Sequence, residues 1–202
     1  LPRAIRDVYK RQVLNDVNVE FETGKMYSIT GASGAGKSTM LSLLAGLDTP
    51  YSGEVLFDGE NIAKTGYVEH RKKHISLVFQ NFNLIDYLTP LENLRLVNRR
   101  ADAQVLIDLG LTEEEVNRNV TQLSGGQQQR VAIGRALVSS APVILADEPT
   151  GSLDPATTKE VIAILKNVAH EHGKCVIVVT HDSYVAAQAD IKYVLKNKQL
   201  KK

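Results

Sequence analysis

Cysteine occurs once in the chain, tryptophan not at all, and no apolar run is long enough to form a membrane-crossing helix. A single thiol, Cys175, excludes a disulfide framework and suits a reducing compartment. It lies within an apolar run, so it reads as a buried structural thiol rather than a reactive one. Every apolar stretch falls short of the roughly 18 residues that a spanning segment requires, and no signal-peptide pattern is read in the residues given. Any membrane role is therefore expected to run through a partner. Neither sign of charge prevails: 24 Lys and Arg against 23 Asp and Glu leave a net +1, which excludes a general attraction for nucleic acid. Internal repeats and low-complexity tracts are missing too. At 202 residues the chain suits one α/β domain with a proper core, with room for a small subdomain.

What is present is organised around Gly31-Ala32-Ser33-Gly34-Ala35-Gly36-Lys37-Ser38-Thr39. Gly31, Gly36, Lys37 and Ser38 satisfy G-x-x-x-x-G-K-[ST], a match expected by chance on the order of 1% of the time in a chain of this length. Residues 26–30 before it read as a short buried strand, and residues 37–45 after it as a helix with Leu41, Leu44 and Ala45 on one face. Strand, glycine loop and helix bring successive backbone N–H groups and a helix N-terminus onto one phosphate. Lys37 is expected to reach β- and γ-phosphates, and the Ser38 hydroxyl to ligate Mg²⁺. The bland alternative is a glycine-rich turn that binds nothing.

The first twelve residues read as a non-native N-terminal segment, excluded from fold reasoning. From Val13 onward Val17, Val19 and Phe21 alternate with polar residues, predicting a half-exposed strand. Glu54 to Gly59 predicts a short strand ended by Asp-Gly. The charge knot from His70 to His74 predicts a solvated helix face. Residues 75–79 form a second buried strand ending at Gln80. Residues 81–123 have helical periodicity over 91–98 and 103–109, and Thr112 with Glu115 makes a capping box. Ser124-Gly125-Gly126 opens a further helix over 127–138. Val143 to Ala146 is a run apolar enough for a central parallel strand, ending at Asp147 and Glu148. Asp154-Pro155 starts a helix, as cap and first-turn proline. Residues 174–180 are another core strand with His181 at its carboxyl end; a short helix from Tyr184 and a strand near 193–195 follow. Such alternation implies a largely parallel sheet, whose ligands sit beyond the carboxyl ends of the strands. The glycine loop, Gln80, Asp147-Glu148 and His181 all follow such ends.

Asp147 has the position of a Walker B carboxylate, holding Mg²⁺ through water. Glu148 leaves on a different side and suits a general base that polarises water for in-line attack. Alone, the pair also reads as an acidic cap of a neighbouring helix; beside a phosphate loop, paired roles fit better.

Leu123-Ser124-Gly125-Gly126-Gln127-Gln128-Gln129-Arg130 is the most specific remaining stretch. With it, residues 13–200 resemble the nucleotide-binding subunit of ATP-binding cassette (ABC) transporters. That resemblance implies a P-loop NTPase fold of class α/β. The fold has a mainly parallel core sheet, an N-terminal antiparallel β part and a small helical subdomain inserted after Gln80. Residues 13–202 become a single ABC ATPase domain, with the helical subdomain at about 81–138. It further implies that Ser124, Gly125, Gly126 and Gln127 complete the ATP site of a second copy rather than their own. A glycine pair opening a helix is itself an anion site. By the same resemblance Gln80 senses metal and γ-phosphate, Ser152-Leu153-Asp154 crosses the dimer interface, and His181 is the switch histidine. Tyr9 stands about where the family stacks adenine. The run from Ala146 to Asp154 is similar to the subgroup of lipoprotein-release, macrolide-export, antimicrobial-peptide-resistance and cell-division ATPases.

The function implied is ATP hydrolysis, with ATP and Mg²⁺ as cofactors. The working form is a homodimer that powers an integral membrane permease from the cytoplasmic face of the cell membrane, without nucleic acid. The permease dock is expected at Asn83 to Tyr87. Two rivals share the nucleotide chemistry: a soluble cassette acting on DNA or ribosomes, and an ATPase driving a signalling or cell-wall-regulating membrane complex that moves no substrate. Two departures stand out. The insertion after Gln80 is shorter than in most relatives, and the closing turn carries Asn197-Lys198 where Asn-Gly would turn more readily.

Overall fold

The computed structural model describes residues 13–202; Tyr9 and the rest of the first twelve residues lie outside them. In chain order the elements are β1 (Met26–Thr30), α1 (Lys37–Leu44), β2 (Leu56–Phe57), β3 (Glu60–Asn61), α2 (Ile62–Thr65), α3 (Tyr67–Lys73) and β4 (Ile75–Phe79). Next come α4 (Pro90–Arg95), α5 (Gln104–Asp108), α6 (Glu113–Val116), a 3₁₀ turn (Val120–Gln122) and α7 (Gly125–Leu137). The chain closes with β5 (Val143–Asp147), α8 (Pro155–His170), β6 (Cys175–Val179), α9 (Ser183–Gln188), β7 (Ile191–Lys196) and β8 (Gln199–Lys201).

Six strands form one sheet in the order β4-β5-β6-β1-β7-β8, parallel throughout except for the β7-β8 hairpin. Because β4, β5, β6 and β1 are adjacent and parallel, their carboxyl ends lie along one edge. The register makes this exact to the residue: Phe79 is opposite Asp147, Asp147 opposite Val179, and Val179 opposite Ile29. At about 4.8 Å between strands, the ends of β4 and β1 stand roughly 15 Å apart.

The central strands read as continuous apolar runs because both of their faces are covered. Met26, Ile144, Ala146, Val176 and Val178 pack against α7, α8 and α9. Their neighbours Tyr27, Ile29, Leu145, Ile177 and Val179 pack on the other face with Met40 and Leu41 of α1. Each fully buried Ile or Val contributes about 1.5–3 kcal/mol relative to exposure. A third apolar cluster stands apart, built by Leu84, Leu94, Leu106, Leu111, Val116, Leu123, Val131 and Val138.

Helix starts follow side-chain caps. Thr89, Thr112 and Ser124 each form a complete capping box with Glu92, Glu115 and Gln127, while Asp154 and Asp182 cap α8 and α9. The caps also explain the small shifts from the sequence reading. Ser124 starts α7 at Gly125, two residues earlier than the pattern suggested, and Asp182 starts α9 at Ser183.

Two expectations fail locally. Residues 17–22 form no strand. Val17, Val19 and Phe21 do turn inward onto the α1-side core, but a ladder also needs a neighbouring backbone with free N–H and C=O groups. Residues 17–22 enter none of the strand pairings among the described residues. The charge knot is not simply solvated: His70 is buried, its Nε2–H donates to Leu44 O at 2.9 Å, and Arg71 donates to Gly46 O. The face of α3 that carries these two residues receives the carbonyls at the C-terminus of α1.

Candidate functional site

The glycine loop between β1 and α1 has the shape its residues dictate. Gly34 and Gly36 take φ of 75° and 108°, which side chains rarely adopt. A Cβ on Gly31 would lie 2.6 Å from Leu195 O, so the loop passes where only glycine fits. Helix α1 begins with no side-chain cap, so its first N–H groups are left for a ligand. Lys37 bends back over the loop and donates from Nζ to Gly31 O at 2.7 Å and Ala32 O at 3.2 Å. That posture leaves one ammonium proton directed away from the protein. Ala32, Ser33 and Ser38 are exposed, while Ala35 and Thr39 are half-buried.

Beside the loop, Ser38, Gln80, Asp147 and Glu148 line one cavity of about 430 Å³ with Phe79, Asn81 and Asn83. Burial, reinforced by neighbouring Glu148 and opposed by Lys37, raises the Asp147 carboxyl above its ordinary value. A cation at this point would relieve that penalty. Hydroxyl, amide and carboxylate oxygens are the hard donors Mg²⁺ prefers, so the residues present fit that ion. Gln80 packs over a glycine: its Cδ and Nε2 lie 2.9 Å, and its Oε1 3.2 Å, from where a Cβ on Gly151 would stand. Ser152 Oγ donates to Gln80 O at 3.4 Å.

Glu148 is left-handed at φ 47°, with its N–H held by Val179 O at 2.9 Å. The twist brings its carboxylate Oε1 to 2.8 Å from His181 Nδ1. A second cavity of about 390 Å³ opens on the other side of this pair, lined by Thr150, Leu153, Lys159, Asp182 and Tyr184 among others.

Ser124, Gly125 and Gly126 line neither of these cavities. Ser124 is exposed, and its Oγ accepts Gln127 N–H at 3.3 Å, leaving the hydroxyl proton outward. Gln127 is engaged within the chain, accepting Ser124 N–H at 2.8 Å and donating to Glu115 at 2.5 Å. The residues of the 152–154 segment differ in setting. Ser152 is exposed, and Leu153 leans toward Gly125. Asp154 caps α8: the Thr157 hydroxyl, then the N–H groups of Thr157 and Ala156, donate to its carboxylate and lower it below the usual range.

The strand ends gather Ser38, Gln80, Asp147 and Glu148, and one contact beside them, made by Arg135, has no signal in the sequence. This guanidinium donates to Asn83 O at 2.5 Å and Phe82 O at 3.3 Å. No local spacing signals such a contact between residues about fifty apart. The capping boxes Thr89-x-x-Glu92 and Ser124-x-x-Gln127 were visible as patterns and went unread.

The pattern of the ABC transporter family matches residues 14–151, more than half of the chain. The ABC transporter ATP-binding protein YclH of Bacillus subtilis is 42% identical over 189 residues, covering 89% of this chain and 84% of that protein. The macrolide export ATP-binding/permease protein MacB of Haemophilus ducreyi is also 42% identical; the match takes in 88% of this chain but 27% of MacB, about a quarter of its length. Among solved structures, the ATP-binding cassette MJ0796 of Methanocaldococcus jannaschii, a dimer in a post-hydrolysis state with ADP and Pi, superposes with TM-score 0.80. Its identity is 40%, over 94% of this chain and 89% of that one.

Proposed function

The chain belongs to the ABC transporter family, as an ATP-hydrolysing subunit, and from that premise we propose that two copies close head-to-tail around two ATP molecules. The observation that carries this is the separation of two anion-binding helix starts. The glycine loop before α1 shares one edge of the sheet with Gln80, Asp147, Glu148 and His181. Ser124 and Gly125 open α7 outside both cavities there. A facing copy brings the second onto the first. The dimeric form of MJ0796 supports that arrangement.

In the closed dimer the loop amides and Lys37 bind the β- and γ-phosphates, and Ser124 Oγ–H with the Gly125 amide reaches the γ-phosphate from the partner. Glu148 takes a proton from the attacking water. His181 orients the Glu148 carboxylate through the 2.8 Å contact, and only with a second proton on its other nitrogen does it also donate to the γ-phosphate. Mg²⁺ would be held by Ser38, Gln80 and Asp147, where it supplies charge neutralisation at the phosphates. Loss of the γ-phosphate contacts releases the dimer.

No helix among the described residues is long and apolar enough to cross a membrane. The name of MacB joins an ATP-binding to a permease part, which supports an integral membrane permease as partner and the cytoplasmic face of the membrane as the working place. Tyr87, 81% exposed beside the Gln80 loop, is the dock; Leu84 of the expected dock packs inward instead. Phosphate release per chain, measured on dilution, is expected to fall as the dimer dissociates and to be lost in Ser124→Arg. A rate per chain indifferent to both would overturn the reading.

A further inference from the structure

We propose that Arg135 is a positioning residue for Gln80, acting through the two residues between them in space, Phe82 and Asn83. This rests on the reading of Gln80 as a residue of the hydrolytic site. The loop after β4 is backbone-strained: Phe82 and Asn83 are consecutive non-glycine residues in the left-handed region, at φ 58° and 51°. Left-handed Phe82 carries roughly a tenfold population penalty relative to ordinary conformations and Asn83 a smaller one, so the pair persists where something outside it holds it.

Arg135 is that hold. In an extended segment, successive carbonyls point to opposite sides; the left-handed pair swings the carbonyls of Phe82 and Asn83 toward the same guanidinium. Arg135 donates to both, Nη1 to Asn83 O at 2.5 Å and Nη2 to Phe82 O at 3.3 Å. Burial depresses the guanidinium pKa, and no carboxylate offsets it. The charge is therefore held by these carbonyls, an arrangement that a merely structural surface arginine does not need. The geometry also ties the loop to both ends of α7. Arg135 belongs to its last turn, and the Phe82 ring lies 3.6 Å from where a Cβ on Gly125 would stand, in its first. Two residues before Phe82, the Gln80 amide enters the cavity shared with Ser38, Asp147 and Glu148. Helix α7, carrying Ser124, and the Gln80 side chain are thereby fixed to one another by a strained two-residue segment and one fork of hydrogen bonds.

A double-mutant cycle on the full chain tests this. Arg135→Gln is expected to lower kcat for ATP hydrolysis about tenfold, with nucleotide affinity and thermal midpoint little changed. In a Gln80→Ala background the same substitution is expected to lower kcat no further, because Arg135 acts through Gln80. Asn83→Gly, which adopts the left-handed conformation unaided, is expected to restore at least threefold of the activity lost in Arg135→Gln. Should Arg135→Gln not fold, Arg135→Lys, which keeps the charge but not the fork, takes its place in the cycle. Additive losses with Gln80→Ala, or a loss that Asn83→Gly does not relieve, would overturn the proposal while an active parent leaves the function intact. A parent chain that hydrolyses no ATP would overturn both.

Discussion

The Glu148 carboxylate Oε1 and His181 Nδ1 meet at 2.8 Å across adjacent parallel strand ends. A carboxylate only accepts, so Nδ1 carries the proton and Nε2 is turned outward. Glu148 is the less exposed partner, 19% against 73% for His181, which suits a base shielded from bulk water beside a side chain free to reach a ligand. Replacing Glu148 with Gln keeps the size and removes the basicity. Turnover is expected to fall by about 10²- to 10⁴-fold while ATP binding persists, and size-exclusion chromatography with ATP should show a trapped dimer. Turnover within a factor of two of the parent would remove Glu148 from the role of base.

Cys175 opens β6, an interior strand of the sheet, and is 2% exposed. Burial pushes its thiol up to about 12. At pH 8 the thiolate is then about one in ten thousand, and the thiolate is the reacting form. A chromogenic disulfide reagent is expected to modify none of the native protein over an hour and one thiol per chain after denaturation. Rapid labelling of folded protein would show that β6 is not the covered strand described above.

The parts of the fold that were legible in the sequence are those set by local chemistry. Val143–Asp147 and Cys175–Val179 could be read because strands covered on both faces need apolar residues at every position, and their ends named Asp147 and His181. Thr112 and Asp154 could be read because caps act within three residues. Alternation at Val17, Val19 and Phe21 reported burial correctly, but burial does not provide a strand with a neighbour. The left-handed backbone at Phe82, Asn83 and Glu148 was invisible, because it is imposed by distant groups such as Arg135 and Val179 O rather than chosen by the residues themselves. His70 was misread for the same reason: its partner, Leu44 O, is 26 positions away.

His70 gives stability a pH dependence of known sign. Its Nε2–H donates to Leu44 O, so its Nδ1 accepts from His74 Nδ1 at 3.1 Å, and the ring is held neutral. Around it stand Arg71 and His74 from α3 and its end, the Phe57 ring and the Leu44 carbonyl. Burial lowers the His70 pKa; the Leu44 hydrogen bond opposes this, and His74 and Arg71 add to the lowering. The unfolded chain therefore takes up a proton first on acidification, near the ordinary value of about 6.5. The His70 contribution is complete above that value and is lost as pH falls through the lower native one. Urea midpoints of the parent relative to His70→Gln are expected to be flat above pH 7 and to decline below about 6.5. A difference that grows toward alkaline pH would contradict the arrangement.

Gly125 and Gly126 sit side by side at the start of α7, yet the fold needs glycine at only one of them. A Cβ on Gly126 would stand 2.3 Å from Thr157 Cγ2 on α8, and that side chain is fixed by its own bond from Oγ1 to Asp154 at 2.5 Å. A Cβ on Gly125 would make ordinary contacts of 3.5 Å with Leu153 and 3.6 Å with Phe82. Gly126→Ala is accordingly expected to cost about 1–3 kcal/mol by overpacking, partly offset by the better helix propensity of alanine. Thr157→Ser, which removes the clashing methyl and keeps the hydroxyl, should recover most of that loss. Gly125→Ala should leave the denaturation midpoint unchanged and still depress hydrolysis, because the added methyl stands between the α7 N-terminus and the phosphate of the facing copy. Denaturation curves alongside phosphate release separate the two effects. Equal loss of stability in both variants would mean that the pair serves helix packing alone, and that α7 does not present its N-terminus to a second molecule.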